Sequence, residues 1–442
     1  MRRPSLCVLL HLFAALVIAS GGALAQPSPN AHITLGHSTV PLNGPWRFHV
    51  GDDARWASPD FDDSAWEAVD LTPAPGAHDG DVGLPGYVTG WSQRGHAGYT
   101  GYAWYRMKVT VESGAGTPLA LAGPTLVDST YQLYVDGKLL GGSGVFTGAS
   151  PTVYGVRPTK FSLPQTSSAG TQTFVVAIRV WMDPVDASSE SGGMHVAPTM
   201  GDAEGIDRLV QVQWLQTFKG YVVDAIEPLA FVLLACMVFG LIASRTRDSY
   251  RWLVAALLLL ALLRVHQVLF YWTPYLSLRC YDATVTVLLR PLVLAAWTLA
   301  WRDWFRLPAS PWWGRAISVL TAAYIALALI GRPWFPPYDA HVLKAAADVA
   351  VQCIRLAFVA LYLWTLGAGV LRSASASGCL AAIATILVGI GLFATELNAI
   401  GIPGIWFPYG TGVARGQYAY AAFIALFFVL ILVRSAGYAR RR

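Results

Sequence analysis

The sequence predicts a two-part protein: an all-β domain of sandwich or jelly-roll type, then an all-α bundle of seven transmembrane helices. Three observations lead there. Of 442 residues, 55% are hydrophobic and only 13% charged, which is too apolar for an ordinary soluble domain. The charges then divide the chain: residues 27–215 carry ten Lys and Arg against eighteen Asp and Glu, whereas residues 216–442 carry nineteen against eight. Finally, the first part is built of short β-branched and aromatic runs separated by turn residues, and the second of apolar stretches near the ~20 residues that span a bilayer. The basic excess sits among those stretches, so the chain's net charge of +5 is no sign of nucleic-acid binding.

Residues 1–25 have the pattern of a secretory signal peptide: Arg2 and Arg3, the apolar "SLCVLLHLFAALVIA", and the small-residue "ALA" before Gln26. The domain that follows, residues 27–206, is therefore expected outside the membrane. It contains no cysteine and must hold itself together by its core. "YAWYRMKVTVE" and "FVVAIRVWM" alternate as strands do, and Asp136-Gly137 within "YQLYVDGKLLG" suits a two-residue hairpin turn. Residues 207–220 then change period and predict a juxtamembrane amphipathic helix.

Within the transmembrane domain, 221–434, spans are expected at about 221–243, 252–272, 283–301, 312–330, 345–371, 376–397 and 416–434. An outer N-terminal domain makes the first span run inward. Arg245, Arg247, Arg251, Arg302, Arg306, Arg315, Arg372 and Arg434 then fall on the inner side, in agreement with the positive-inside rule. A short basic tail, 435–442, is expected in the cytoplasm.

Gly51–Leu71, "GDDARWASPDFDDSAWEAVDL", holds six Asp and one Glu. It lacks the oxygen spacing and bend glycine of a calcium loop. Turn and cap chemistry that seats Trp56 and Trp66 is the expected role, and Trp46 and Trp104 are expected in the same core. No Cys/His cluster has metal-ligand spacing, and no metal or other cofactor is expected.

The stretch from Leu42 to Leu71, then "GYAWYRMKVTV" and "YQLYVDGKLLGGSG", resemble the N-terminal sugar-binding domain of family-2 glycoside hydrolases. The resemblance implies a galactose-binding-like jelly roll. In those hydrolases the catalytic residues lie on a separate barrel, for which this chain has no counterpart. The layout as a whole is similar to bacterial seven-transmembrane receptors with diverse intracellular signalling modules. That implies the bacterial inner membrane, a periplasmic jelly roll and a cytoplasmic C-terminus. No cyclase, kinase or phosphatase motif follows the last span, so the output is expected from a separate protein or a module beyond this sequence.

Two sets of site residues stand out. The strand-free stretch Pro73–Gly101 is long enough to be functional. Its Asp79, Trp91, Arg94, His96 and Tyr99 offer the aromatic faces and polar groups a sugar site needs. The other reading is a glycine-rich lid anchored by Trp91. In the membrane, Glu227, Arg264, His266, Arg290, Asp348, Arg355 and Glu396, with Asp224, are expected to form one buried polar cluster, because an isolated arginine there costs ~2.5–3.5 kcal/mol. This cluster reads as a switch or ligand pocket, or as fixed ion pairs that set helix packing. With no metalloprotease or Walker A motif, no catalytic residue is assigned. The expectation is a non-enzymatic sensor that binds a carbohydrate or related small ligand outside and a signalling protein inside, with a homodimer as one assembly. A membrane-anchored carbohydrate-binding protein is the alternative, and a transporter or integral-membrane enzyme a third reading.

Overall fold

The structure is a computed structural model, described here for residues 39–80, 83–113, 117–148, 150–164, 170–245, 250–308, 311–372, 375–405 and 413–439. The signal peptide expected at 1–25 lies outside the described residues.

Among the described residues, ten strands form two antiparallel sheets: β1 Thr39–Pro41, β2 Trp46–Val50, β3 Glu67–Val69, β4 Gly101–Ser113, β5 Leu119–Ala122, β6 Thr130–Val135, β7 Lys138–Gly142, β8 Lys160–Ser162, β9 Gly170–Met182 and β10 Thr199–Asp202. One sheet runs β1-β10-β5-β8 and the other β3-β2-β4-β9-β6-β7. Two 13-residue strands, β4 and β9, pair from Gly101↔Met182 to Ser113↔Gly170. Their alternation fixes the core. Ala103, Tyr105, Val176, Ile178 and Val180 point inward, where they meet Trp46, Phe48, Leu121, Leu133, Phe161 and Met200. Asp136 and Gly137 take φ of 49° and 80°, the doubly positive pair that a two-residue hairpin requires, and join β6 to β7.

A helical region follows. It comprises α1 Ala203–Arg245, α2 Arg251–Trp272, α3 Leu278–Trp304, α4 Pro311–Gly331, α5 His341–Arg372, α6 Ala376–Leu392, α7 Ala394–Ala399 and α8 Arg415–Ala439. Six of these, α1 to α5 and α8, are long and apolar enough to cross a membrane. The span expected at 376–397 is instead split: α6 has 17 residues and ends at Phe393, whose φ of −109° and ψ of 31° break the helix before α7. The separate helix expected at 207–220 is also revised. It is the start of the single 43-residue α1, because nothing between Gly205 and Gly220 terminates a helix. Residues 282–289 of α3 are wound as a π-helix.

Among the described residues, the β domain and the helices touch in two places. The first turns of α1 lie on the outer face of the four-stranded sheet, where Ile206 packs on Ala120 and Ala122 and Lys160 bridges to Asp207 at 2.6 Å. At the α2–α3 turn, Leu278 N donates to Val153 O at 2.9 Å, and Phe270 and Leu278 pack with Val153, Trp181, Val185 and Tyr281. At the far end of the bundle, the Arg434 guanidinium lies 4.2 Å from the Trp304 ring centre and 5.1 Å from that of Tyr250. That is the end where the sequence gathers its arginines.

Candidate functional site

The acidic stretch is fold chemistry. Asp53 caps the turn Ala54–Ala57, and Asp62 accepts from Ser64 N at 3.0 Å. Asp63 pairs with Arg106 Nε at 2.8 Å, and Arg106 is almost fully buried. The tryptophans separate more than expected. Trp46 lies between the sheets, but Trp66 and Trp104, with the partly buried Trp56, form a second cluster on the outer face of the six-stranded sheet. The reason is strand phase: Trp104 alternates with the inward Ala103 and Tyr105, so it must point outward.

That outer face holds residues the sequence reading passed over. Arg179 donates through Nε and Nη2 to Asp52 at 2.8 and 2.5 Å and through Nη1 to Gln132 at 3.0 Å. Its guanidinium lies 4.3 Å from the Tyr102 ring centre and 5.3 Å from that of Phe146. Trp181 packs against Tyr102 at 4.6 Å. All of these aromatic side chains are half-buried. The available signal was alternation: Tyr102, Trp104, Arg179 and Trp181 share one phase of β4 and β9.

The Pro73–Gly101 stretch is a lid stitched to residues 190–195. Gly90, Trp91 and Ser92 donate backbone N–H groups to Glu190, Gly192 and Ser191, and Val88 donates to His195. Trp91 is 2% exposed and therefore anchors the lid; it offers no face to a ligand. Its indole donates to Tyr99 O at 3.1 Å, and Tyr99 Oη donates to Tyr102 O. His96 sits edge-on to Phe48 and bonds Glu67 at 3.0 Å. Arg94 donates to Asp70 O at 2.9 Å. Asp79 is buried and accepts from Leu84 N. So Trp91, His96 and Tyr99 come together around the lid's root, whereas Asp79 and Arg94 tie other parts of it.

Beneath the lid is an arrangement the sequence did not announce. Both ring nitrogens of the buried His195 face acceptors, Val88 O at 2.8 Å and Asp128 Oδ2 at 2.9 Å, and the ring stacks on Tyr87. Burial alone would lower its pKa, but the Asp128 carboxylate and the Val88 carbonyl outweigh burial and raise it. Nearby, burial pushes Asp186 up to about 7, against the hydrogen bond from Ser129 Oγ at 2.6 Å, with Asp128, Asp183 and Asp282 adding to the rise. Burial raises Asp183 as well.

In the helices, the single polar cluster resolves into three. Arg264 on α2 donates to Glu227 at 2.7 Å and also holds Asp224 and Gln267, while Gln417 of α8 donates to Asp224. Arg332 and Trp334 hold Asp282, and Arg332 also reaches Asp348 at 3.2 Å. Arg355 makes a bidentate pair with Glu396 at 2.5 and 2.7 Å and bonds Tyr324. His266 turns back to Leu262 O of its own helix. Arg290 lies near Tyr281 and has no ion pair among the described residues. Depth along a span was readable in the sequence, but the direction around each helix was not, so groups at one level were merged.

The chain matches no protein-family model and no curated protein sequence. Among solved structures it is similar to a calcium-binding mutant of Bacteroides uniformis beta-glucuronidase 2, with 18% identity over 37% of this chain and 18% of that one and a TM-score of 0.25. It is also similar to a beta-glycosidase from Bacteroides vulgatus, with 19% identity, 37% and 20% covered and a TM-score of 0.24. A Faecalibacterium prausnitzii beta-glucuronidase gives 12% identity, 39% and 33% covered and 0.25. This chain thus spans a third or less of each. These neighbours are glycoside hydrolases, against the expectation of a non-enzymatic chain, which is therefore withdrawn. At these TM-scores the likeness assigns no substrate or catalytic residue here.

Proposed function

We propose that the chain is a membrane sensor. Its β domain, a galactose-binding-like jelly roll at 27–206, takes a carbohydrate or related small ligand on the outer side. Its helices, with α6 as a seventh crossing, pass the change to a cytoplasmic partner. One observation carries this reading. The helix whose first turns pack on a sheet of the β domain is the same unbroken helix that presents Asp224 and Glu227 to Arg264 inside the bundle. A shift of the sheet is thereby a shift of a buried ion pair. The α2–α3 turn gives the second handle. Trp181 belongs both to the aromatic face around Arg179 and to the cluster with Phe270 and Leu278. A ligand stacked on that face would press on the bundle, and it moves the equilibrium only as far as it prefers one arrangement over the other.

The reading is tested on the full chain in nanodiscs. Glycans are screened by tryptophan fluorescence while spin labels report distances among the inner ends of α2, α3 and α8. The expected result is a saturable glycan response accompanied by a change in those distances. Arg179→Ala should weaken the binding at least tenfold. Gln216→Pro, which breaks α1 between sheet and bundle, should keep binding and lose the distance change. Binding with unchanged distances in the unmodified chain would instead mark a membrane-anchored carbohydrate-binding protein. No binding by any glycan or small metabolite removes both readings.

A further inference from the structure

The buried site on α1 has unbalanced charge. Asp224 and Glu227 face one guanidinium, Arg264, and Glu227 is only 2% exposed. Its Oε2 accepts from Arg264 Nε, but its Oε1 has no hydrogen-bond partner among the described residues. The surroundings supply no further cation. On its own helix Glu227 has Asp224 one turn away. From α2 come Arg264 and the neutral Gln267; from α8 come Gln417, already donated to Asp224, and Tyr420. Tyr281 and Arg290 of α3 stand one step further out, beyond Gln267. A net negative charge with a bare carboxylate oxygen is thus enclosed in apolar packing.

Three kinds of ligand could cancel it. An organic ammonium ion needs room beside Glu227, but Phe231 and Tyr420 pack edge-on at 5.7 Å, and even a methyl group on Gly391 would collide with the Tyr420 ring. A metal ion needs several converging oxygens, and the described residues contain no group of three ligands suited to one. A proton needs neither space nor further ligands. It removes the charge and leaves a neutral hydroxyl, whose burial is far less costly than that of an unpaired charge. We propose that Glu227 Oε1 is a proton-binding site, so that this ion-pair centre works as a neutral Asp224–Arg264 pair beside a carboxylic acid. Loss of the proton returns a second anion to Arg264 on the helix that leads from the β domain. This inference does not depend on the β domain binding any ligand.

Infrared difference spectroscopy of the full chain in nanodiscs tests it, on an Asp186→Asn background that removes the β domain's own near-neutral acid and stepped upward from about pH 5.5, where ordinary carboxyls are already ionised. A carboxylic-acid carbonyl band should vanish as pH rises, be wholly absent from Glu227→Gln, shift in Glu227→Asp, and persist in Asp224→Asn. If Glu227→Gln does not fold, the shift in Glu227→Asp carries the assignment. A spectrum with no titrating acid band, or one whose band survives Glu227→Gln or keeps its position in Glu227→Asp, overturns the proposal. So does a band that sodium removes at constant acid pH, which would make the site one for a metal cation.

Discussion

His195 and Asp186 are close together in the β domain, and both make its stability depend on pH in the same direction. His195 is held as imidazolium by Asp128 and Val88, with a pKa above its ordinary value. Its contribution is complete below about pH 6.5, the unfolded value, and is lost as pH rises through the higher folded one. Asp186, with a pKa of about 7, stays protonated in the fold at pH values where the unfolded chain has released that proton. Stability therefore also falls between about pH 4 and the folded value near 7. Thermal unfolding of the full chain followed against pH should separate the two. Asp186→Asn, which can still accept from Ser129, should flatten the acid window and raise the unfolding temperature at about pH 8 while changing little at about pH 4. His195→Gln should flatten only the window above about pH 6.5. An unchanged slope in either variant would remove that residue from the account. Neither group could be found in the sequence. The partners of His195, Val88 and Asp128, are 107 and 67 residues away along the chain.

At the scale of elements, the lid shows what the sequence could and could not tell. A long stretch rich in glycine and aromatic residues was visible as special, but which aromatic faces inward depends on the partner segment. Gly192 settles it. Its φ is +114°, and a Cβ there would run into the Trp91 indole. Gly192→Ala should thus cost at least ~2 kcal/mol through both backbone strain and the collision. Trp91→Ala should cost ~3–5 kcal/mol as a fully buried aromatic. Because the two changes act on one contact, the double variant should be clearly less destabilised than their sum, as measured by denaturant unfolding of the full chain. Additive losses would mean that Gly192 serves something other than the indole. By contrast, the hairpin at Asp136-Gly137 and the pairing of β4 with β9 were legible, because both rest on local rules: a turn dipeptide and a period of two. The break at Phe393 was not. "GIGLFATELNAI" is free of proline, and its only local mark of a weak helix is the pair Gly389 and Gly391, which helices often tolerate.

At the scale of the whole molecule, the Arg264 and Arg355 ion pairs are separate centres of the bundle that should act independently. Arg264 ties α1 to α2, and through Asp224 and Gln417 to α8; Arg355 ties α5 to the α7 segment and, through Tyr324, to α4. Among the described residues they share no partner. Removing one member of a buried pair strands the other's charge, so Arg355→Leu and Glu396→Leu should each destabilise by ~3–5 kcal/mol. The double variant Arg355→Leu/Glu396→Leu strands nothing and should recover most of that loss. Arg264→Leu combined with Arg355→Leu should show the plain sum of the single effects, since the sites touch no common group. Stability in mixed micelles titrated with denaturing detergent measures all of these. Strong non-additivity between Arg264 and Arg355 would restore the single cluster that the spacing of charges along the sequence first suggested. Additivity would leave the Arg264 centre, on the side where the helix packed on the sheet enters, energetically separate from the Arg355 centre.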